Sequence, residues 1–267
     1  MGQASVVVKN QGEAIFVNRF FFVAANAAMG VAVQVANALE LFVSNFQTAF
    51  NPQLIQSYAS QNYIDHKRLL FRASKFSFFL LFILVVPLVA NIDFVLNLWL
   101  VDVPEYTNYF IDFILISYLL GALSTPFVTS ILATGKIKHY QMILSVTFLC
   151  GLVLVYIFLK LGFEPYYVSV VAVIIQICLL FIRLWIAKKY VGISLKEYLR
   201  EIIIPVVLVT VLSVPIPYLL NSINEGSLFI VINILIEVAI IGSLILYVGL
   251  NRTERNYIIN TIKKITL

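Results

Sequence analysis

Between Asn26 and Asn51 the chain is apolar on one side and polar on the other for more than seven helical turns. At about 100° per residue, Asn26, Gly30, Gln34, Asn37, Glu40, Ser44, Gln47, Thr48 and Asn51 share an arc of roughly 140°. Only Val33, Leu41 and, at its edge, Met29 interrupt that arc; Val31, Val35, Ala38, Leu39, Phe42, Val43, Phe46 and Phe50 occupy the opposite side. One face suits lipid or packed helices, and the other needs water, partners or a polar ligand. Such a helix is expected to line something.

Around it the hydrophobic pattern predicts an all-α integral membrane protein of about eight spans, each near the twenty residues an α-helix needs to cross a bilayer. The first, residues 3–23, is interrupted by Lys9, Asn10, Gln11, Glu13, Asn18 and Arg19, so it inserts only with those groups facing protein or water. The striped span is expected to end at Asn51-Pro52, because proline closes a helix. Pro52 to Lys75 reads as an interfacial loop or amphipathic helix carrying Asp65, His66, Lys67, Arg68 and Arg72. Further spans are expected at 76–90, 109–133, 140–159, 166–190, 201–220 and 228–250. Pro126 should kink the fourth, with Ser124 and Thr125 serving the freed carbonyls. The tail, with Ile258, Ile262 and Ile265 on one side and Lys263 and Lys264 on another, reads as a helix lying on an anionic leaflet.

Composition agrees: of 267 residues 61% are hydrophobic and 12% charged, far from the balance of soluble domains. The net charge of +5 does not imply nucleic acid, because the basic residues fall between spans rather than in one patch. Lys67, Arg68, Arg72 and Lys75, then Lys136 and Lys138, then Lys188, Lys189, Lys196 and Arg200, and finally the tail all belong to alternate connections. Asp102 with Glu105, Lys160 with Glu164, and Glu225 hold the intervening ones. By the positive-inside rule both termini are expected in the cytoplasm. No removable leader is expected at the start. Cys150 and Cys178 lie inside spans as plain apolar packing, and no metal, cofactor, phosphate loop or nucleophile motif is recognisable, so no enzyme chemistry is expected.

At Asn45-Phe46-Gln47-Thr48-Ala49-Phe50-Asn51-Pro52-Gln53 and at Leu132-Ala133-Thr134-Gly135-Lys136 the sequence resembles polysaccharide and O-antigen flippases of the Wzx type, within the multidrug and oligosaccharidyl-lipid exporter superfamily. Asn10-Gln11-Gly12, Arg72-Ala73-Ser74-Lys75-Phe76-Ser77, Leu96-Asn97-Leu98-Trp99-Leu100 and Pro104-Glu105-Tyr106-Thr107 carry the resemblance along nearly the whole chain. It implies the C-terminal lobe of a two-lobe, MATE-like transporter, with residues 1–190 as the second-lobe bundle and 191–267 as two additional helices and the tail. The resemblance implies that the first span here corresponds to the later part of that lobe's opening helix, which is truncated. The implied setting is the bacterial inner membrane, the implied substrate a lipid-linked oligosaccharide, and the implied partner a separate N-terminal lobe or a second copy.

For such a substrate Asn26, Gln34, Asn37, Ser44, Gln47, Thr48 and Asn51 are the expected path-lining residues, since sugars want amide and hydroxyl partners. A pyrophosphate wants lysine or arginine, which in the first two spans means Lys9 and Arg19. Glu40 is the candidate for cation or proton coupling or for a salt bridge to Lys9 or Arg19, while Glu13, one turn beyond Lys9, is placed to neutralise it. Arg183 and Asp112 read as span-boundary residues. Tyr106 and Tyr109, on the outer side, are of a type that stacks on sugar rings. Interhelical hydrogen bonding is the competing reading of the polar stripe, and a multidrug or cation exporter, or a non-transporting membrane subunit, the competing readings of the chain.

Overall fold

The computed structural model describes residues 2–221 and 227–256, and among these all regular structure is helical. Glu225 and residues 257–267, which hold the apolar and basic faces of the expected amphipathic tail, lie outside the described residues. Among the described residues seven helices are long and apolar enough to cross a membrane: α1 (Gly2–Ala59), α2 (Tyr63–Ala90), α4 (Thr107–Ala133), α5 (Ile137–Lys160), α6 (Tyr167–Val191), the segment Leu195–Leu220, and the segment Phe229–Gly249. A short α3 (Ile92–Trp99) follows α2. The penultimate span is built from α7 (Leu195–Tyr198), a π-turn, α8 (Ile204–Ser213) and α9 (Pro215–Asn221), and the last from α10 (Ser227–Leu244) closed by a second π-turn.

The two first predicted spans are two arms of α1, divided at Phe22, whose φ of 64° and ψ of −166° are not helical. The first arm, residues 2–21, runs alongside α5 in the same sense: Ser5 donates to Ser145 at 2.8 Å, and Phe16 packs on Tyr156. The second arm, residues 23–59, runs with α4, joined by Tyr118 to Asn37 and by Thr129 to Asn51. Because α4 and α5 are consecutive and joined by a three-residue connection, the arms run in opposite senses, and Phe22 is the turn between them. Close approach needs small residues: a Cβ on Gly12 would stand 2.7 Å from Leu152, and one on Gly151 would stand 2.9 Å from Ile175. These two glycines stack the first arm, α5 and α6 in one row.

Proline does not close the second arm. Pro52 sits inside α1, which continues to Ala59, because the two extra turns bury Leu54 completely and bring Ser57 and the Leu54 carbonyl to His66. His66, fully buried, also meets Ser130 of α4 at 2.7 Å, so one imidazole joins the ends of α1, α2 and α4. The expected interfacial segment is therefore a tight helical corner: Gln61 adopts φ 58°, Asn62 caps α2 by accepting from the Asp65 amide, and α2 begins at Tyr63, thirteen residues earlier than hydropathy alone places it. In α4 Ser124 and Thr125 both donate to the Gly121 carbonyl. That is one residue before Ala122, whose carbonyl loses its amide partner to Pro126.

The trailing helices α8 to α10 pack chiefly on α2 and on one another. A π-turn at Leu199–Ile203 precedes Pro205 and absorbs the amide that proline lacks. At the basic end, Lys75 (2% exposed side chain) donates to Glu254 at 2.6 Å, Glu254 also accepts from the Asn251 amide, Lys67 pairs with Glu197, and Asn251 donates to Glu201. A buried pair of this kind is destabilised strongly when one partner is removed, so it holds the last helix in register with α2.

Phe22 is 76% exposed, so its ring contributes little packing, while its backbone occupies a region that only glycine adopts without strain. Replacing it with glycine, Phe22→Gly, should raise stability by about 1–3 kcal/mol. The thermal unfolding midpoint of the detergent-purified protein should rise accordingly.

Candidate functional site

A cavity of about 760 Å³ opens between the two arms of α1, α4 and α6. The reversal at Phe22 is what creates it: one helix supplies two walls, and the strand of polar residues on each wall meets the other across the gap. From the first arm come Lys9, Asn10 and Glu13, and from the second Asn26, Asn37, Glu40, Ser44 and Gln47. From α4 come Ser117, Tyr118 and Thr125, and from α6 Ser169, Gln176 and Arg183. Leu81, Ile114, Val168 and Ile175 supply apolar surface between them.

Of the residues expected to line a path, Asn26, Asn37, Ser44 and Gln47 border this cavity, whereas Gln34, Thr48 and Asn51 lie outside its lining. The stripe divides by height. Toward the basic end it packs: Gln47 donates to Ser77 of α2 at 3.0 Å, Asn51 accepts from Thr129 of α4 at 2.9 Å, and Thr48 donates to the Ser44 carbonyl of its own helix. Higher up, Asn37 accepts from Tyr118 at 3.1 Å, while Asn26, Gln34 and Glu40 make no side-chain hydrogen bond or ion pair among the described residues. Interhelical bonding and cavity lining thus both occur, on different stretches of one face.

The charged candidates separate as well. Lys9 borders the cavity but is already paired, its Nζ lying 3.1 Å from both carboxylate oxygens of Glu13. Arg19 is exposed and does not border the cavity. Glu40 borders it and, among the described residues, has no basic side chain within ion-pair distance, Lys9 and Arg19 included.

Arg183, read from the sequence as a boundary residue, lies in the cavity wall at 8% exposure. Its Nε donates to the Tyr140 hydroxyl at 3.0 Å, and an Nη donates to the Ser124 hydroxyl, but no carboxylate stands within ion-pair distance among the described residues. Two hydroxyls orient a guanidinium without neutralising it, and three of its five N–H groups have no hydrogen-bond partner among the described residues. The signal for it was legible: Ser169, Gln176 and Arg183 recur every seven residues on an otherwise apolar span, which keeps them on one helix face. Gln176 adds a buried carbonyl oxygen without a hydrogen-bond donor. The site can therefore offer a fixed positive charge, amides and hydroxyls to a polar anionic molecule within an apolar bundle.

No family model matches the chain, and neither a curated protein nor a solved structure matches it.

An unneutralised buried cation costs stability, so Arg183→Met should leave the thermal midpoint unchanged or raise it. A fall of several degrees on thermal unfolding in detergent would instead make Arg183 a packing element between α4, α5 and α6.

Proposed function

We propose that this chain is a transporter component that flips a polyprenyl-pyrophosphate-linked oligosaccharide across the bacterial inner membrane for surface polysaccharide export. The observation that carries the reading is the polar cavity of about 760 Å³ enclosed by membrane-spanning helices. A lipid-linked glycan has a headgroup that lipid will not dissolve and a tail that it will. The amides of Asn26, Asn37, Gln47 and Gln176 and the hydroxyls of Ser44, Ser117 and Thr125 suit the sugars, and Arg183 suits the pyrophosphate. Lys9 is a weaker anion contact because Glu13 already neutralises it.

In this reading both termini are cytoplasmic, as the alternation of basic connections favours, and the glycan leaves toward the opposite end. Gln34 is exposed on the second arm outside the cavity lining, and lipid solvates such a group poorly. A further polypeptide, either an N-terminal lobe or a second copy, is therefore expected to cover that face. One observation favours a second reading: Glu40, an acid in the cavity without a basic partner among the described residues, suits a multidrug or cation exporter.

Genetic complementation separates these. In a strain lacking its own flippase, the chain alone or with a matching first lobe should restore surface polysaccharide. Asn37→Leu, Gln47→Leu and Arg183→Gln should each reduce it at unchanged membrane abundance, the last by roughly tenfold or more, the scale of one charge-assisted hydrogen-bonded contact. Cationic-dye efflux that depends on Glu40, without glycan rescue, would favour the exporter. Neither activity despite normal insertion would leave a non-transporting subunit.

A further inference from the structure

At the end of the bundle opposite the basic connections, a second, shallower pocket of about 210 Å³ lies between α3 and the start of α4. Its chemistry differs from that of the cavity. Among its lining residues there is no lysine or arginine. Asp93 accepts from the Asn108 side-chain amide at 2.6 Å through one carboxylate oxygen, and its other oxygen takes no hydrogen bond among the described residues. The carbonyl oxygen of Asn108 is buried and unpartnered, and the exposed Asn97 amide has no hydrogen-bond partner among the described residues.

Beside these groups stands an aromatic wall. Tyr109, 55% exposed, stacks on Tyr166 with ring centroids 4.9 Å apart and planes 27° apart. Tyr166 in turn stacks on Phe113 and on Tyr167, so the orientation of the Tyr109 ring is set by three rings drawn from two helices. A rigid, exposed aromatic ring next to a carboxylate and two amides is what a sugar ring needs. The C–H face of a pyranose is apolar and packs on an aromatic face, while its rim of hydroxyls donates to carboxylate and carbonyl oxygens and accepts from amide N–H groups. The volume is below the ~300–1,000 Å³ typical of sites for drug-sized molecules, which suits a single ring. The negative Asp93 and the lack of any base disfavour phosphate and acidic sugars.

We propose that Asp93, Asn97, Asn108 and Tyr109 form a monosaccharide subsite for a neutral or amino sugar of a glycan at the exit face. That the sugar belongs to a transported glycan rests on the flippase reading; that the pocket binds a pyranose ring does not.

The test is saturation-transfer difference NMR on the full chain in lipid nanodiscs, with N-acetylglucosamine, glucose, galactose and glucuronic acid as probes at millimolar concentration. Saturation transfer to at least one neutral or amino sugar, concentrated on its ring C–H protons, is expected, with glucuronic acid weaker. Affinity should fall roughly threefold to tenfold in Tyr109→Ala, the scale of one lost aromatic stack, persist in Tyr109→Phe, and fall in Asn97→Ala, which alters an exposed side chain and leaves the fold intact. Arg68→Gln, at an exposed residue of the basic end outside both linings, should leave it unchanged. Absence of transfer to all four sugars, or transfer equal in Tyr109→Ala and Asn97→Ala, would overturn the subsite. Sugar binding without glycan rescue in complementation would uphold the subsite and remove the flippase reading, and rescue without sugar binding would do the reverse.

Discussion

A polar helix face inside an apolar bundle has to be covered, and the rest of this molecule depends on how that is done. The second arm of α1 carries amides, hydroxyls and a carboxylate along a length where lipid offers them no partners. Near the basic end α2 and α4 cover the face directly, through Gln47 to Ser77 and Asn51 to Thr129. Further up α4 reaches it through Tyr118 at Asn37, and the rest of the polar surface is left facing the first arm and α6 across a cavity. Packing and cavity lining are two answers to one constraint, chosen turn by turn according to how near the neighbouring helix comes.

The cavity follows from a single backbone event. With Phe22 at φ 64° the chain reverses, so Lys9 and Glu13, some thirty residues before Glu40 and Ser44, stand on the wall opposite them. The glycine contacts at Gly12 and Gly151 fix how closely the first arm, α5 and α6 approach, and hence where Gln176 and Arg183 sit. Charge is then distributed unevenly. Lys9 and Glu13 cancel locally, whereas Arg183 and Glu40 each lack an opposite charge within ion-pair distance among the described residues. An unpaired charge held in a low-dielectric wall exerts a stronger field on a bound molecule than the same charge in water, and this applies to the buried Arg183 rather than to Glu40, whose side chain is exposed.

The basic end obeys a different logic. There Lys75 and Glu254 are buried together, and Lys67 with Glu197 and Asn251 with Glu201 stand nearby. Such a pair gains its value from geometry and from hydrogen bonds to its remaining atoms, here the Asn251 amide on Glu254. It ties the segment after the last span to α2. His66 performs a similar task for α1, α2 and α4 with no net charge required.

What the sequence determined by itself was the membrane class, the all-α fold and the spans, because length, hydropathy and 3.6-residue periodicity are local properties that the bilayer enforces on any chain. The stripe from Asn26 to Asn51 and the neutralisation of Lys9 by Glu13 one turn away were legible for the same reason. Helix ends were less so: Pro52 argues for termination locally, yet burial of Leu54 and the reach of Ser57 to His66 carry the helix on to Ala59. Only the tertiary structure decided which part of the stripe is packed and which is open, since that depends on where α2 and α4 approach. It alone placed Arg183 in the cavity wall: the seven-residue spacing of Ser169, Gln176 and Arg183 puts the three on one helix face, but only the approach of α4 and α5 turns that face inward, toward Tyr140 and Ser124. The pairing of α3 with the first turn of α4 around Asp93 and Asn108 is likewise a contact between residues fifteen apart across an irregular connection, and no periodicity encodes it.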